Sequence, residues 1–336
     1  MTKKILVRAP NWLGDCVMST PFLRALDGRY PGSEITVLCR PEQHDLFKTH
    51  PCVKNTLLLE KTAGLFDTVR SVRSGLYDRA YVLPPSFSSA FHLWAAGIPE
   101  RVGYSTDMRG LLLTESLPYD ERLHYVRRYL GLLGLQGSDI RQDSLHCPVG
   151  NDGLETVRDF LGKKGFVFST PALIVSPGSN APARRWYPDR YAKVIDSFSA
   201  KEWPTVLLLG APGDKPIADA ILRATRRPVI DLCGQTSILL AAHLLKQSQG
   251  LITNDSGLSH LAWAAGIPMV ILVGAGNPRL TSPFGDQVRL LHHTEIPCVP
   301  CIRNVCDRPP EDEKACMDRI RTDEVIETAR QLFGRK

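Results

Sequence analysis

The chain is predicted to be an α/β protein of two domains, each built on a parallel β-sheet. Three observations support this. Its 336 residues suffice for two domains with separate cores. Short apolar runs alternate with helix-forming segments, a pattern typical of parallel strands covered by helices on both faces. The alternation pauses in a polar, glycine-rich stretch at residues 148–169 and then restarts.

Apolar runs place the strands in each half. The first half is expected to hold strands at 4–8, 34–39, 56–59 and 79–84, with a first helix at 15–26. A helix near 154–161 is assigned to the interdomain region, with the boundary after residue 160. The second half is expected to hold strands at 172–176, 205–210, 229–232, 250–253 and 269–273. The halves are alike in architecture but not in sequence, and no short-period repeat is present.

Composition narrows the class of protein. A hydrophobic content of 43% with 23% charged residues is ordinary for a globular protein. The net charge of +6 suits an anionic ligand or membrane surface without requiring nucleic acid, and we expect no nucleic-acid partner. No apolar run reaches the length of a membrane span, and the N-terminus has no signal-peptide core. We therefore expect a cytoplasmic protein.

Residues 253–260 (TNDSGLSH) form the most informative stretch. They join a short apolar run to a helix-forming segment, so unpaired backbone amides and the positive end of the helix dipole are expected near Gly257. Such a junction can bind phosphate, and His260 could donate a further hydrogen bond. The alternative is that Asp255 or Ser256 only caps a structural helix.

Three further loops follow predicted strands. Asp15 begins the first helix, where its carboxylate can act as a general base or as an N-cap. Residues 176–180 lead to Arg184 and Arg185, whose guanidiniums can clamp phosphate oxygens or form a solvated basic surface. Asp214 can accept hydrogen bonds from a ribose or cap the next helix. Because all these loops lie at the carboxyl ends of strands, an anionic nucleotide explains them better than independent caps.

Several segments together resemble the lipopolysaccharide heptosyltransferases of glycosyltransferase family 9, in the same order over most of the chain. They are residues 11–15, 78–87, 177–178, 183–186 and 253–260. The resemblance implies the GT-B fold, with two Rossmann-like domains whose parallel sheets face across a cleft. Residues 1–160 would bind the acceptor and residues 161–336 the nucleotide sugar.

The resemblance also assigns residues. Asp15 falls on the proposed catalytic base, Asp214 lies near the adenosine ribose, and Thr236 beside the adenine. Arg184 stands where relatives carry a lysine near the donor phosphates, and residues 274–278 depart from the family's Gly-Pro-Ser/Thr pattern. The expected donor-binding residues are Ser179, Arg184, Arg185, Asp214, Thr236, Asp255, Ser256, Gly257 and His260.

The implied reaction moves a heptose from ADP-heptose onto the first heptose of the inner core, with inversion. Asp15 would take the acceptor proton, while Arg184 and the helix start at Ser256 would stabilise the departing diphosphate without a metal. The acceptor would be lipid A-Kdo-heptose, so we expect a monomer peripheral to the inner face of the cytoplasmic membrane. Arg127 and Arg128 are expected on a solvated helix face. Alternatives are another core position, a protein acceptor, or a non-catalytic nucleotide-sugar-binding protein.

The nine cysteines indicate no disulfide framework, because the total is odd and no signal peptide is present. Four of them lie in a proline-rich loop at 297–316, which precedes a terminal helix. These four are Cys298, Cys301, Cys306 and Cys316. Their spacing begins like a zinc site, so a structural zinc and free thiols are both open interpretations.

Overall fold

The computed structural model describes residues 2–60, 62, 64–135, 144–149 and 152–334. The chain forms two compact units, Met1–Pro148 and Val149–Lys336. Each unit contains one six-stranded parallel sheet flanked by helices. The predicted α/β class with two Rossmann-like units is therefore confirmed.

The sheet of the first unit reverses its strand order at its centre. Its strands are β1 (Lys4–Arg8), β2 (Glu34–Cys39), β3 (Asn55–Leu58), β4 (Arg79–Val82), β5 (Glu100–Tyr104) and β6 (Glu115–Leu117). They lie in the order β3-β2-β1-β4-β5-β6. The chain thus builds outward from β1 and then returns to place β4 on its other side. Loops that follow β1 and β4 diverge there and leave space for a ligand.

Among the residues that the structure describes, six α-helices flank this sheet. They are α1 (Leu13–Met18), α2 (Thr20–Arg29), α3 (His44–Lys48), α4 (Leu65–Ser74), α5 (Phe87–Ala95) and α6 (Tyr125–Gly131). The single helix expected at 15–26 is divided at Ser19. Pro21 has no N–H to continue the ladder, and the Thr20 hydroxyl donates to the Val17 carbonyl at 2.7 Å.

The second unit repeats the topology. Its strands are β7 (Ala172–Ser176), β8 (Thr205–Leu208), β9 (Ile230–Asp231), β10 (Gly250–Asn254), β11 (Met269–Leu272) and β12 (Val288–Leu291). They lie in the order β12-β11-β10-β7-β8-β9, so the reversal falls between β7 and β10. Every residue of β7 and β10 is buried, as expected for central parallel strands covered on both faces.

The described part of the second unit contains eight α-helices. They are α7 (Gly153–Gly162), α8 (Pro188–Ser197), α9 (Lys215–Ala224), α10 (Ile238–Gln247), α11 (Gly257–Ala265), α12 (Pro278–Thr281), α13 (Ala315–Asp318) and α14 (Thr322–Phe333). The core between α8, α14 and the sheet includes Trp186, Tyr191 and Met317. Across the described ranges, no helix combines the length and apolar character that crossing a bilayer requires.

Nine predicted strands form, most with ends shifted by one or two residues, and three strands were missed. The missed strands are β5, β6 and β12. The segment β5 carries Glu100 and Arg101, and β6 has only three residues at an edge of the sheet. The edge strand β12 exposes part of one face. Polar residues interrupt the apolar run in each of these three strands, so hydrophobic periodicity does not detect them.

The predicted domain boundary after residue 160 is wrong, because the units divide between Pro148 and Val149. The helix α7, assigned to the interdomain region, packs against α10 of the second unit. Val157 and Leu161 are buried on α7, and a Cβ at Gly153 would lie 2.7 Å from His243 Nδ1. The polar composition around α7 concealed this tertiary contact.

A fragment that begins at Val149 should be more stable than one that begins at Lys163, which lacks α7. Removing α7 exposes its contact with α10 and deletes two buried side chains, each worth roughly 1.5–3 kcal/mol. Urea unfolding of both fragments, followed by circular dichroism, measures the difference. Equal midpoints would show that α7 does not belong to the second unit's cooperative core.

Candidate functional site

Loops after β1 and β4 enclose a cavity of about 300 Å³ in the first unit. Asp15 lines it together with Trp12 from the first loop and residues 83–86 from the second. Arg128 and four tyrosines also line it: Tyr104, Tyr119, Tyr125 and Tyr129. Aromatic faces and hydroxyls around a carboxylate suit a sugar, whose ring presents both C–H groups and hydroxyls.

Asp15 lies half-buried in the first turn of α1. The N-cap position belongs to Trp12, so Asp15 is not the N-cap residue that the alternative interpretation assumed. Burial raises the pKa of the neighbouring Tyr129, and the charge of Asp15 raises it further. The Tyr129 hydroxyl therefore keeps its proton beside the Asp15 carboxylate.

Arg128 is buried, with 5% of its surface exposed, so its expected position on a solvated helix face is wrong. Its guanidinium lies 4.8 Å from the Tyr119 ring centroid and 4.4 Å from that of Tyr125. It also donates to the Tyr119 hydroxyl and, at 2.6 Å, to the Glu121 carbonyl. Cation–π contacts compensate the burial of this charge. Arg127 is exposed, as expected.

Arg8 fixes the loop that carries the cavity's first wall. It is buried at the end of β1 and donates to Asn11 Oδ1 at 2.6 Å and to the Ala9 carbonyl. Burial lowers the pKa of Arg8 to about 10, so the side chain remains charged at neutral pH. The sequence, which places Arg8 in a strand, did not indicate that this side chain would hold the loop.

Asn254 joins the loops at the β7–β10 reversal of the second unit. Its side chain is fully buried and donates to the Pro177 carbonyl at 2.6 Å. The amide oxygen accepts from the Trp186 backbone N–H at 3.2 Å and from the Tyr191 hydroxyl at 2.9 Å. We did not predict Asn254 as a site residue, although it lies within the motif at 253–260.

Asp255 and Arg184 form an ion pair beside this amide, with Oδ2 and Nη1 3.0 Å apart. Burial raises the pKa of Asp255, and Arg184 opposes that change. Gly276 covers the pair: its φ is 150°, and an added Cβ would lie 3.0 Å from Asp255 Oδ2. Residues 274–278, which depart from the family's Gly-Pro-Ser/Thr pattern, therefore lie next to this ion pair.

The start of α11 presents hydrogen-bonding groups that the helix does not use. Ser256 occupies the N-cap position but makes no side-chain capping bond. Its buried hydroxyl oxygen has no hydrogen-bond partner among the described residues. Gly257 is the first helical residue, and His260 is buried in the next turn. Unused amides and a hydroxyl at the positive end of a helix favour an anion.

Ser179 and Arg185 lie in the loop after β7, which reaches Asp255 through Ser179. The Ser179 hydroxyl lies 3.4 Å from the Asp255 carbonyl oxygen, and Arg185 Nε donates to the Ser179 carbonyl at 2.8 Å. Four of the expected donor-binding residues, Ser179, Arg184, Asp255 and Ser256, are thereby brought together. Ser179 and Asp255 are 76 residues apart in the sequence. The pairing of β7 with β10 brings the loops that carry them together.

Asp214 is arranged as a cap. Its carboxylate accepts from the Ala211 backbone N–H at 2.9 Å and is only 7% exposed. An added Cβ at Gly178 would lie 2.0 Å from Asp214 Oδ2, so the loop after β7 crosses close above it. The half-buried Thr236 lies in the next loop, whose Gly234 donates to the Gly210 carbonyl at 2.9 Å.

The four C-terminal cysteines line one small cavity of about 40 Å³. Burial raises the pKa of Cys316, and its nearby thiols raise it further. The Lys314 backbone N–H donates to Cys306 Sγ at 3.4 Å. However, the described part of the chain places no three His, Cys, Asp or Glu side chains as a metal-binding group. The thiols therefore share a cavity but not a coordination geometry.

Replacing Asn254 with Ala should lower the free energy of unfolding by about 3 kcal/mol, because it leaves several buried groups unpaired. Asn180→Ala, at an exposed position of the same region, is the matched control and should change stability by less than about 0.5 kcal/mol. Urea denaturation measures both. A small effect at Asn254 would mean that the loops are held by other contacts.

Comparisons with known proteins identify the family. The model of glycosyltransferase family 9 (heptosyltransferase) matches residues 65–311. Lipopolysaccharide heptosyltransferase 2 of Escherichia coli is 32% identical over 312 residues, covering 86% of this chain and 87% of that protein. The solved structure of E. coli ADP-heptose LPS heptosyltransferase II aligns with a TM-score of 0.80 at 28% identity, covering 98% of each chain.

A family 9 glycosyltransferase structure from Veillonella parvula aligns with a TM-score of 0.83 over 99% of this chain and 98% of its own. At 22% identity it supports the fold alone. The two Rossmann-like units are those of the GT-B fold, as predicted. The matched region exceeds half of the chain, and the chain therefore belongs to glycosyltransferase family 9, the heptosyltransferases.

Proposed function

We propose that the protein transfers heptose from ADP-heptose onto the first heptose of the lipopolysaccharide inner core, with inversion at the anomeric carbon. The observation that carries this proposal is the Asp15 carboxylate on a sugar-sized aromatic cavity in a member of this family. The similar proteins named heptosyltransferase 2 support the choice of donor and acceptor.

The first unit binds the acceptor in this proposal. Asp15 accepts the proton of the attacking hydroxyl, a step that typically contributes about 10²–10⁴ in rate. Trp12, with 59% of its surface exposed beside Asp15, offers a face for the sugar ring. Tyr129 keeps its proton and can donate to a sugar oxygen.

The second unit binds the nucleotide sugar. The start of α11 and the guanidinium of Arg184 supply fixed positive potential where the diphosphate gains charge. Arg184 is held by Asp255, which orients it and leaves 28% of its side chain exposed. This electrostatic arrangement performs the task of a divalent cation, so we propose that transfer requires no metal. Asp214 and Thr236 are assigned to the nucleoside end.

We infer the location of the protein from the lipid to which its acceptor is linked. We propose that it works as a monomer, peripheral to the inner face of the cytoplasmic membrane. Its net charge of +6 favours an anionic surface. ADP-heptose offered with truncated core lipid or with a protein acceptor distinguishes the acceptors, and labelled heptose reports which one receives the sugar.

Asp15→Asn should lower kcat by about 10²–10⁴ and leave the Kd of ADP-heptose unchanged, because it removes the base but not the donor site. Asp45→Asn, at a partly exposed acid of the same unit, is the control and should retain wild-type kcat. Single-turnover transfer and calorimetry measure the two quantities. Tight donor binding with no turnover in wild-type protein would instead indicate a nucleotide-sugar sensor.

Arg184→Ala should lower kcat/KM by about 10²–10³, the usual effect of losing one preorganised charge at a developing anion. Arg184→Lys should recover part of the rate, because charge is retained but the planar fork is lost. Arg190→Ala, whose guanidinium pairs with Asp318, is the control. Equal rates for Arg184→Ala and wild type would exclude a role in transfer.

We also propose a structural zinc at Cys298, Cys301, Cys306 and Cys316, supported by their shared cavity and the spacing of the first pair. Binding would require the loop to draw the thiols closer together. Metal analysis of protein purified without a tag should then give about one zinc per chain, lost in Cys301→Ser. Cys52→Ser, at a cysteine of intermediate burial outside this loop, is the control. Metal-free protein with unchanged stability in both variants would favour free thiols.

A further inference from the structure

The helix α5 exposes an aromatic row on the side opposite its core contacts. Phe87, Phe91 and Trp94 follow one another at spacings of four and three residues, so they share one side of the helix. Their ring centroids are 6.1 and 5.6 Å apart along the row. Phe87 is 42% and Trp94 47% exposed, whereas Ala90 and Leu93 are buried.

The loop at residues 105–112 packs against α5 and carries two further exposed apolar side chains. Met108 is 87% and Leu111 91% exposed. Asp107 and Met108 have φ values of 50° and 55°, a conformation that residues with side chains rarely adopt. Phe87, Phe91, Trp94, Met108 and Leu111 are called the apolar face below.

A buried arginine holds this loop in place. Arg109 is fully buried and donates to the Tyr104 carbonyl at 2.8 Å and to the Ser89 hydroxyl at 3.3 Å, as well as to the Pro84 carbonyl. These bonds attach the loop to the start of α5. The apolar side chains are therefore displayed from a fixed backbone, and the strained dihedral angles are sustained by those contacts.

Cations border the apolar face. Arg70 and Arg73 are exposed on α4, and Arg73 donates to the Ala95 carbonyl at 2.7 Å, which places it at the end of α5. Two acids of these segments accept backbone hydrogen bonds and keep their charge: Asp67 accepts from the Gly64 N–H at 3.3 Å, and Asp107 from the Phe87 N–H at 2.6 Å. The end of the apolar face that Arg70 and Arg73 border is therefore the part suited to anionic head groups.

The apolar face adjoins the cavity that holds Asp15. Residues 84–86 line that cavity and continue directly into Phe87. A sugar bound in the cavity and linked to a lipid would have its lipid near this end of α5. We propose that the apolar face inserts into an anionic bilayer and positions the cavity over the lipid-linked acceptor. This inference rests on the proposed function.

The same observations disfavour a second copy of the chain as the occupant. A two-fold interface would place Arg70 and Arg73 near their own copies, and like charges there repel. A bilayer can bind both the apolar face and the arginines beside it. Aromatic and aliphatic groups enter the acyl boundary, and arginines contact anionic head groups.

The test compares wild-type protein with the double variant Met108→Ser and Leu111→Ser. Val167→Ser with Ile302→Ser, at positions of the second unit that are 82% and 80% exposed, is the matched control for loss of apolar surface. Sedimentation with vesicles of phosphatidylethanolamine and phosphatidylglycerol measures membrane binding. The double variant should bind at least about tenfold more weakly, and the control within about twofold of wild type.

Two further measurements separate the possible outcomes. Transfer to a deacylated, water-soluble acceptor should be equal in all three proteins, because the substituted residues lie outside the cavity. If none transfers heptose while vesicle binding still differs, the transferase proposal fails and the membrane face stands. Equal vesicle binding by wild type and double variant would overturn the membrane face. So would light scattering that shows a wild-type dimer and a monomeric double variant.

Discussion

The amide of Asn254 is the contact on which the second unit's site depends. The strands β7 and β10 are neighbours, but their following loops run to opposite sides of the sheet. The buried side chain of Asn254, at the end of β10, bonds the loop after β7 at two points, Pro177 and Trp186. Each of these groups is buried and needs a partner, so the loops are fixed where they diverge. The Asp255–Arg184 pair and the start of α11 are positioned by this attachment.

The first unit uses the same strand order for a different purpose. Its loops at the β1–β4 reversal carry tyrosines, Trp12 and a carboxylate in place of an ion pair and a helix start. Arg8 performs a task similar to that of Asn254, because it ties the loop after β1 to the end of the strand. One topology therefore supports two kinds of site, and the loop residues decide which ligand each can bind.

Three arginines are stabilised in three different ways. Arg184 has a carboxylate, Arg128 has two aromatic faces, and Arg109 has carbonyl and hydroxyl oxygens. Only the first arrangement places opposite charge at a site expected to bind phosphate. Burial raises the pKa of Asp255, and the charge of Arg184 opposes that change. The ion pair thus stabilises the charged carboxylate and holds the guanidinium in position.

The sequence by itself determined the class, the family resemblance and the strands with continuous apolar runs, because these depend on local periodicity and short motifs. It also identified the strand-to-helix loops in which Asp15 and Asp255 lie. Only the tertiary structure decided the unit to which α7 belongs, the burial of Arg128, the close approach of Gly178 to Asp214 and the bonds of Asn254. Those properties depend on which distant segments pack together, and neither spacing nor composition along the chain records that packing.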